Sequence, residues 1–355
     1  MKGTIVNYIP LDRDFIQTIE NFFFCIIGYE HPPERILGYL KYIPADFGKW
    51  KLGNQNLKRV IPYYSAESVI NTFQFLKEKY PQYLFYDNYS EMTFSAVPIT
   101  YIKKYYSSQK KLEEIFELKE LDLLQKKLKS FILRLSNETN VPINAFGVTG
   151  SILLNIHNPK FSDLDITVHG YDNAIQIKRA LQDIFKCGDA EITPLSDIEA
   201  DRWKKDKVKR FRLKHSEIEL LFRRKWNMGI FQKTRFSVHP IRNRDEIYEH
   251  YGDKSYKSIG QIEIYAKIMD NSQAMFLPSK YQISNVRIIK GKKVENIIEI
   301  ISYEGLFDAV AEKNEIIKAK GQLELVTDNR TQKKYYRIVI GSRKGKSKEF
   351  LSLLI

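Results

Sequence analysis

One segment carries most of the information in this chain: Gly147-Val-Thr-Gly-Ser-Ile-Leu-Leu-Asn-Ile-His-Asn-Pro-Lys-Phe-Ser-Asp-Leu-Asp-Ile-Thr-Val168. Its order of residue types predicts a short strand ending near Val148, a turn at Gly150-Ser151 and one or two helical turns. A turn at Asn158-Pro159 follows, and then a buried strand beginning at Leu164. The segment therefore predicts an α/β unit in which a Gly-Ser turn and two aspartates follow successive elements.

Asp163 and Asp165 lie two residues apart on the predicted strand, so they point to the same side while Leu164 and Ile166 face the core. Adjacent carboxylates repel each other, and a pair beside an apolar strand indicates a cation that neutralises it. Oxygen ligands without a His or Cys cluster favour Mg²⁺ or Mn²⁺. Two such ions about 3.5–4 Å apart would support attack by a hydroxyl and release of pyrophosphate.

The Gly150-Ser151 turn complements these acids. A glycine at a strand-to-helix turn lets the backbone approach a phosphate closely. The first N–H groups of the following helix and the Ser151 hydroxyl can then bind phosphate oxygens. A lone Asp-x-Asp or Gly-Ser is common on protein surfaces. Their combination in this order predicts phosphoryl or nucleotidyl transfer, which depends largely on positioning and charge neutralisation.

The arrangement resembles the signature of the DNA polymerase beta-like nucleotidyltransferase superfamily: Gly150-Ser151, 11 intervening residues, then Asp163-Leu-Asp165-Ile. The resemblance covers about residues 110–240. It implies a small α/β core with a mixed sheet, bound Mg²⁺ or Mn²⁺, and transfer of a nucleoside monophosphate from an NTP to a hydroxyl. The flanking regions are similar to uncharacterised archaeal proteins that carry this domain. This similarity does not indicate a substrate.

The superfamily expects a third acid on a later strand, and two interpretations stay open. In the first, residues 217–222 form that strand and Glu219 is the third catalytic acid. In the second, Ser216 and Glu219 form a capping box at the start of a helix. The later strand then begins at Arg235 and offers Ser237 and His239 but no acid. Metal binding would in that case depend on the substrate phosphates, and catalysis would be weakened or absent.

The chain has 57 Lys and Arg against 43 Asp and Glu, a net charge of +14. Residues 201–235 hold thirteen basic and four acidic residues, a local net charge of +9. The basic segment 202–235 is therefore a candidate surface for nucleic acid, RNA rather than DNA, beside the NTP site. Alternatively, these basic residues form a solvated helix face that binds no nucleic acid. Trp203, Phe211 and Trp226 lie among these charges and could stack bases, although aromatic residues at such spacing usually belong to a core.

Composition excludes several classes of protein. With 43% hydrophobic residues, the chain cannot be a disordered polyelectrolyte. There is no run of about 18 apolar residues, so we expect no membrane partner. Cys25 and Cys187 cannot build a disulfide framework or a zinc site, and no secretory signal is apparent, so we expect a cytoplasmic protein. No Walker A or dinucleotide-binding motif occurs.

We expect a multidomain α+β protein. Residues 1–105 are predicted to form an α+β N-terminal domain, with a hairpin around Glu20-Asn21 and a helix after Ser65. Residues 106–250 are predicted to form the nucleotidyltransferase core. Two amphipathic helices are expected in it: one from the helical spacing of Leu121, Leu124, Leu128, Phe131 and Leu135, and one from Ala174, Ile177, Leu181 and Ile184 with Asp172 or Asn173 as its cap. Residues 251–355 are predicted to form a β-rich, barrel-like domain, for which an OB-like barrel is one candidate. A second basic cluster, Arg343 to Lys348, would suit RNA or single-stranded DNA on such a barrel.

Overall fold

The computed structural model describes residues 10–61, 65–211, 213–342, 345 and 348–354. Arg212 of the basic segment and most of the Arg343 to Lys348 cluster lie outside these residues. The described chain is an α+β protein with three separate sheets. Within it, no helix is long and apolar enough to cross a lipid bilayer.

The N-terminal sheet is antiparallel and eight-stranded, with the order β4-β5-β3-β2-β1-β8 and with β7 joining β3 to β6. The predicted hairpin is confirmed, because Phe15 pairs with Cys25 around a turn in which Asn21 has φ 61°. The predicted helix is also confirmed, with the Ser65 hydroxyl capping it. The elements are β1 (Phe15–Thr18), β2 (Phe23–Ile26), β3 (Arg35–Pro44), β4 (Trp50–Leu52), β5 (Gln55–Arg59), α1 (Ala66–Lys79), β6 (Leu84–Asp87), β7 (Met92–Pro98) and β8 (Ile102–Tyr106).

The central sheet is mixed and five-stranded, with the order β11-β12-β13-β10-β9. β10 and β13 are parallel neighbours, and every other pair is antiparallel. Its elements are α2 (Ser108–Glu117), α3 (Leu123–Thr139), β9 (Phe146–Val148), α4 (Gly150–Leu153), β10 (Leu164–His169), α5 (Tyr171–Cys187), β11 (Ile192–Thr193), α6 (Asp197–Phe211), α7 (His215–Arg223), β12 (Met228–Phe231) and β13 (Thr234–Ile241).

The helices of this unit follow their apolar periodicity. In α3, Leu124, Leu128, Phe131 and Leu135 are buried, and in α5 the same holds for the predicted face from Ala174 to Ile184. The start of α5 was predicted wrongly, since we expected Asp172 or Asn173 as its cap. The helix begins at Tyr171 instead, directly after Gly170 at φ 94°, and the carboxylate of distant Glu246 accepts the Tyr171 N–H at 2.8 Å.

The C-terminal strands close into a ring, in agreement with a barrel-like region. β14 pairs with β15 and with β17, and parallel β16 and β18 complete the circuit. β19 extends the sheet beside β17. We call this ring the barrel. Its strands are β14 (Lys254–Asp270), β15 (Ser279–Lys290), β16 (Ile297–Ser302), β17 (Ile316–Asp328), β18 (Lys334–Ile340) and β19 (Phe350–Leu354).

The hydrophobic cores cross the domain limits expected from the sequence. Phe211 and Ile218 of α6 and α7 pack into the interior of the barrel rather than onto the central sheet. Phe276 from the barrel joins the core of the central sheet. Leu153 and Leu154, at the end of α4, belong to the core of the N-terminal sheet. The three sheets are therefore joined by shared cores, and α4 connects two of them.

Candidate functional site

The structure brings the Gly-Ser turn and the second aspartate into direct contact. Gly150 begins α4 with φ +67°, and a Cβ at this position would lie 2.5 Å from Oδ2 of Asp165. The Thr149 N–H donates to the Asp165 carbonyl at 2.9 Å, which fixes the turn to β10. Any side chain at position 150 would collide with the carboxylate and would need a left-handed backbone. Both the close approach of the carboxylate and the left-handed backbone therefore favour glycine here.

Asp163 and Asp165, which we call the carboxylate pair, stand at the start of β10 on the side away from the core. Leu164 and Ile166 between and after them are completely buried. Asp163 reaches solvent and Asp165 is half-buried. Surrounding protein, and then the Asp165 carboxylate, raise the pKa of Asp163 to about 6, against the opposing effect of Arg235. Burial and the neighbouring carboxylate therefore both disfavour the ionised form of Asp163.

A chain of polar side chains continues from Asp165 across the sheet. In the parallel register of β10 and β13, Ser237 lies opposite Asp165 and His239 opposite Thr167. The Ser237 hydroxyl donates to Oδ1 of Asp165 at 2.5 Å, and Nε2 of His239 lies 2.9 Å from the same hydroxyl. Because Ser237 has a single proton, His239 must donate through Nε2. Burial, followed by the charges of Arg13 and Lys41, lowers the pKa of His239 well below its usual value. The histidine is therefore neutral.

The strand interpretation of residues 217–222 is wrong. They lie in α7, where Ile218 and Leu221 face the core and Glu219 faces the neighbouring helix α6. The Glu219 carboxylate accepts from Lys204 at 2.9 Å and from Arg223 at 3.1 Å. The expected Ser216 capping box is also absent, because the helix begins at His215. The structure thus places Glu219 in a salt-bridge network between two helices. The later strand is β13, as the second interpretation expects, and it carries Ser237 and His239 but no acid.

The donor set at the carboxylate pair determines which cation it suits. Within the described ranges, no three or more His, Cys, Asp or Glu side chains are grouped so that they could hold a metal ion. Two carboxylates with open coordination positions suit Mg²⁺, which commonly binds one or two protein carboxylates and completes its shell with water and substrate phosphates. The residues present therefore fit one hard cation held jointly with a phosphorylated substrate. They do not supply a complete protein cage.

Several cations of the basic segment are paired, some within α6 and some with acids of other elements. Arg210 pairs with Asp206, Arg224 with Glu315 and Arg235 with Glu199. Lys204 contacts Asp201 and Glu219, and Lys225 donates to the carbonyl oxygens of Gly305 and Asp308. These cations join α6, α7 and β13 to their neighbours. Asp201, Asp206 and Glu219 are already counted in the local net charge of +9, and the two partner acids from outside the segment, Glu199 and Glu315, leave a local excess of 9 − 2 = +7.

Three cations of α6 remain on the surface: Arg202, Lys205 and Lys209 are exposed and form no ion pair among the residues that the structure describes. Their spacing places them along one face of the helix. We call them the α6 stripe.

The aromatic residues of the segment form cores. Trp203 packs against Phe222 with ring centroids 5.3 Å apart, and Phe211 packs against Phe307 at 5.6 Å. Trp226 is 3% exposed in the core of the central sheet. Phe211 and Trp226 are therefore too buried to stack against bases. His157, another residue near the turn, is bound through Nε2 to Asp122 at 2.7 Å.

Two residues near the site carried no signal in the sequence beyond a local charge run. Arg13 follows Asp12 directly before β1, and Lys41 lies within β3. Both belong to the N-terminal sheet, more than 100 residues from the Gly-Ser turn. Tertiary packing brings Arg13 to this turn, where its carbonyl accepts a hydrogen bond from the Thr149 hydroxyl at 2.7 Å.

Comparison with known proteins identifies the family. The chain is 33% identical over 348 residues to the uncharacterized protein MJ1086 of Methanocaldococcus jannaschii, covering 96% of this chain and 98% of the relative. The chain therefore belongs to the same family as this archaeal protein. No family model matches the chain. No solved structure matches it either.

Proposed function

We propose that this protein is a metal-dependent nucleotidyltransferase of the DNA polymerase beta-like superfamily, acting from an NTP on a hydroxyl of RNA. The observation that carries the proposal is the convergence of Gly150 and Ser237 on Asp165, beside Asp163. The turn that precedes β10 and the distant strand β13 thereby build one polar, solvent-open site. The mixed central sheet, with α4 between β9 and β10, agrees with the core that the resemblance implies.

The proposed reaction joins the acceptor hydroxyl oxygen to the α-phosphorus of the NTP and breaks the bond between that phosphorus and the β-phosphate oxygen. Pyrophosphate leaves, and the hydroxyl proton passes to the carboxylate pair or to water. A bound Mg²⁺ would neutralise phosphate charge when present. Asp163 and Asp165 would hold it, while the Ser151 hydroxyl and nearby backbone N–H groups would orient the phosphates. Because α4 has only four residues, these direct hydrogen bonds matter more than any helix dipole.

RNA is the proposed acceptor because of the α6 stripe, whose three cations face solvent on the helix that follows β11. Phosphate neutralisation by such cations supplies affinity without requiring a base sequence. The closed five-stranded barrel agrees with an OB-like module.

A second candidate function is nucleotide binding without turnover. It is favoured by Ser237, which stands opposite Asp165 where the superfamily expects a third acid. A hydroxyl cannot replace the negative charge of a carboxylate at a metal site. The same chemistry on a protein or small-molecule hydroxyl is a third outcome of the experiment below.

The test is incubation of the full-length protein with each of the four α-labelled NTPs, Mg²⁺ and total cellular RNA. Wild type should label RNA, and Asp165→Asn should reduce labelling at least 100-fold. Asp183→Asn, an exposed acid of α5, is the matched control and should be unchanged. Equal labelling by wild type and Asp165→Asn would contradict the catalytic assignment. Label on protein or on a small molecule would change only the acceptor. Mg²⁺-dependent NTP binding without any labelling would favour the second candidate.

A further inference from the structure

The turn that leads into the carboxylate pair is closed by hydrogen bonds onto itself. The Asn158 carbonyl accepts the N–H groups of Phe161 at 3.1 Å and of Ser162 at 2.9 Å. The Asn158 N–H donates to the Ser162 hydroxyl at 2.9 Å, and the Asn158 side-chain oxygen accepts the Lys160 N–H at 3.0 Å. We call residues 158–162 the Asn158 turn. Hydrogen bonds to one residue thus define the shape of this turn directly before β10.

Side chains alternate in burial from the Asn158 turn into β10. Ser162 and Leu164 are buried, at 8% and 0% exposure, whereas Phe161 is 49% exposed and Asp163 reaches solvent. Because alternate side chains of an extended segment lie on the same side, this pattern places the Phe161 ring on the solvent side together with the carboxylate pair. Two residues of chain span at most about 7 Å, so Phe161 is a direct neighbour of Asp163.

The Phe161 ring has no place in the hydrophobic interior. It packs in none of the cores formed by the residues that the structure describes. Half of its apolar surface stays in water, and covering that surface with a ligand is favourable. Lys160, the preceding residue, is exposed as well. An aromatic face with a neighbouring cation suits single-stranded nucleic acid, since the ring stacks on a base while the cation meets a phosphate.

The groups on this side of the central sheet follow one order. Gly150 lies against the Asp165 carboxylate, Asp163 comes two residues before Asp165, and Phe161 comes two residues before Asp163. In phosphoryl transfer, the attacking and leaving oxygens lie roughly in line on opposite sides of the phosphorus. With pyrophosphate leaving on the side of the Gly-Ser turn, the acceptor hydroxyl approaches from the opposite end of the carboxylate pair. That end carries Phe161.

We propose that Phe161 stacks against the unpaired terminal base of the RNA acceptor, with Lys160 on an adjacent phosphate. This inference rests on the proposed function and deepens it by specifying the acceptor as a single-stranded end, in which the last base is free to leave its neighbour and cover the ring. Every base presents a π face, so stacking of this kind favours no particular terminal base. A base-paired end and an acceptor without a base cannot make this contact.

The test compares acceptors and variants of the full-length protein in steady-state labelling with NTP and Mg²⁺. The acceptors are a short single-stranded oligoribonucleotide, the same oligonucleotide ending in an abasic ribose, and its blunt duplex. Wild type should prefer the first over the other two by about tenfold in kcat/KM, and Phe161→Ala should lose this preference. Phe161→Ala and Phe161→Leu should raise KM for the single strand about tenfold and leave KM for NTP within twofold, whereas Phe161→Trp keeps an aromatic face and should resemble wild type. Phe47→Ala removes a phenylalanine that is 89% exposed between β3 and β4, and this control should behave like wild type.

Circular dichroism and thermal melting confirm that each variant folds, as the exposure of Phe161 leads us to expect. Unchanged KM for the single strand in Phe161→Ala, or equal use of the intact and abasic ends by wild type, would overturn this inference while leaving the proposed function standing. A raised KM for NTP alone would overturn it as well, because the base on the ring would then belong to the NTP. If wild type labels no acceptor, the proposed function fails, and fluorescence anisotropy of the labelled single strand still decides the inference: about tenfold weaker binding by Phe161→Ala supports stacking, and equal binding refutes it.

Discussion

The Ser237 hydroxyl donates a hydrogen bond to Oδ1 of Asp165 across the parallel pair of strands β10 and β13. This bond occupies the position where a third carboxylate would otherwise meet the pair. It stabilises and orients the Asp165 carboxylate without adding charge, while neutral His239 contacts the same Ser237 hydroxyl. The site therefore has two acids and one ordered hydroxyl, and a metal ion there would depend strongly on its substrate.

Replacing Ser237 by aspartate is expected to convert the pair into a three-acid site. The new carboxylate would face Asp165 in the strand register, so we expect Mn²⁺ affinity, measured by electron paramagnetic resonance without nucleotide, to rise at least tenfold. The metal-free protein should melt at a lower temperature because three carboxylates repel. Ser237→Ala is the control, and it should cost about 1 kcal/mol of stability and leave metal affinity low. Unchanged Mn²⁺ affinity in Ser237→Asp would show that this position does not face the cation site.

Glu219→Gln is expected to leave the chemistry intact. Since Glu219 pairs with Lys204 and Arg223 on the helical surface, its neutralisation should lower the free energy of unfolding by about 1 kcal/mol or less. NTP labelling should stay within threefold of wild type in the assay described above. A loss comparable with that of Asp165→Asn would restore Glu219 as a catalytic acid and contradict the assignment of β13 as the partner strand.

Charge reversal of the α6 stripe is expected to weaken RNA binding. The triple variant Arg202→Glu, Lys205→Glu and Lys209→Glu should lower affinity for single-stranded RNA and reduce the slope of log affinity against log salt by about 2, since each neutralised phosphate contributes about 0.7. Filter binding between 50 and 200 mM salt, roughly the range over which such contacts respond, measures both. Lys290, Lys292 and Lys293 are exposed at the tip of the barrel, and their triple reversal is the matched control. Equal losses in the two triple variants would indicate a general charge effect rather than a defined surface.

Phe131 is expected to be a principal contributor to the stability of the central unit. Its fully buried ring packs against Phe231 at 4.9 Å and Phe236 at 4.6 Å, joining α3 to β12 and β13. Phe131→Ala should reduce the free energy of unfolding by about 3–5 kcal/mol, measured by urea titration. Leu133, two residues later in the same helix and 37% exposed, serves as the control, because Leu133→Ala should cost about 0.5 kcal/mol or less. Similar costs at the two positions would mean that α3 does not present this face to the sheet.

Glu304 is expected to make stability depend on pH. Burial raises the pKa of Glu304 from its usual value of 4.5 to about 7, and the charges of Asp308 and Glu349 add to the rise. The hydrogen bond from the Ala66 N–H and the charge of Lys207 oppose it. An acid whose pKa is higher in the folded state stabilises the fold while protonated, so this contribution is lost as pH rises from about 4.5 through 7. Glu304→Gln keeps an acceptor for Ala66 and cannot ionise. The free energy of unfolding of Glu304→Gln, measured by urea titration, should therefore rise relative to wild type between pH 5 and pH 8. A pKa difference of one unit between the folded and unfolded states corresponds to about 1.4 kcal/mol.

Glu249→Gln provides a comparison of opposite sign. Although burial raises its pKa, the hydrogen bond from Lys254 and the charges of Lys280 and Arg337 lower the pKa of Glu249 overall. The ionised carboxylate therefore stabilises the folded state at neutral pH, and Glu249→Gln should be less stable than wild type there, with the difference vanishing in acid. A parallel response of the two glutamine variants to pH would contradict the environments described for both acids.

Much of the fold could be predicted because the relevant signals are local. Apolar spacing in α3 and α5 gave their buried faces, and Ser65 gave the start of α1. Signals that depend on a distant partner failed. The Tyr171 N–H at the start of α5 donates to Glu246, a residue far along the chain. Lys204 of α6 pairs with Glu219 of α7, which periodicity alone does not reveal.

The sequence by itself determined that Gly150, Ser151, Asp163 and Asp165 would be arranged around one strand and one turn, because strand alternation and the steric freedom of glycine are properties of neighbouring residues. Only the tertiary structure decided which residue completes the site. The parallel register of β10 and β13 places Ser237, not Glu219, opposite Asp165, and the docking of α4 against the N-terminal sheet brings Arg13 to Thr149. The strand register and the docking of α4 are set by the burial of apolar surface between distant segments. The free energy of this burial is summed over the whole core, so no local stretch of sequence specifies it.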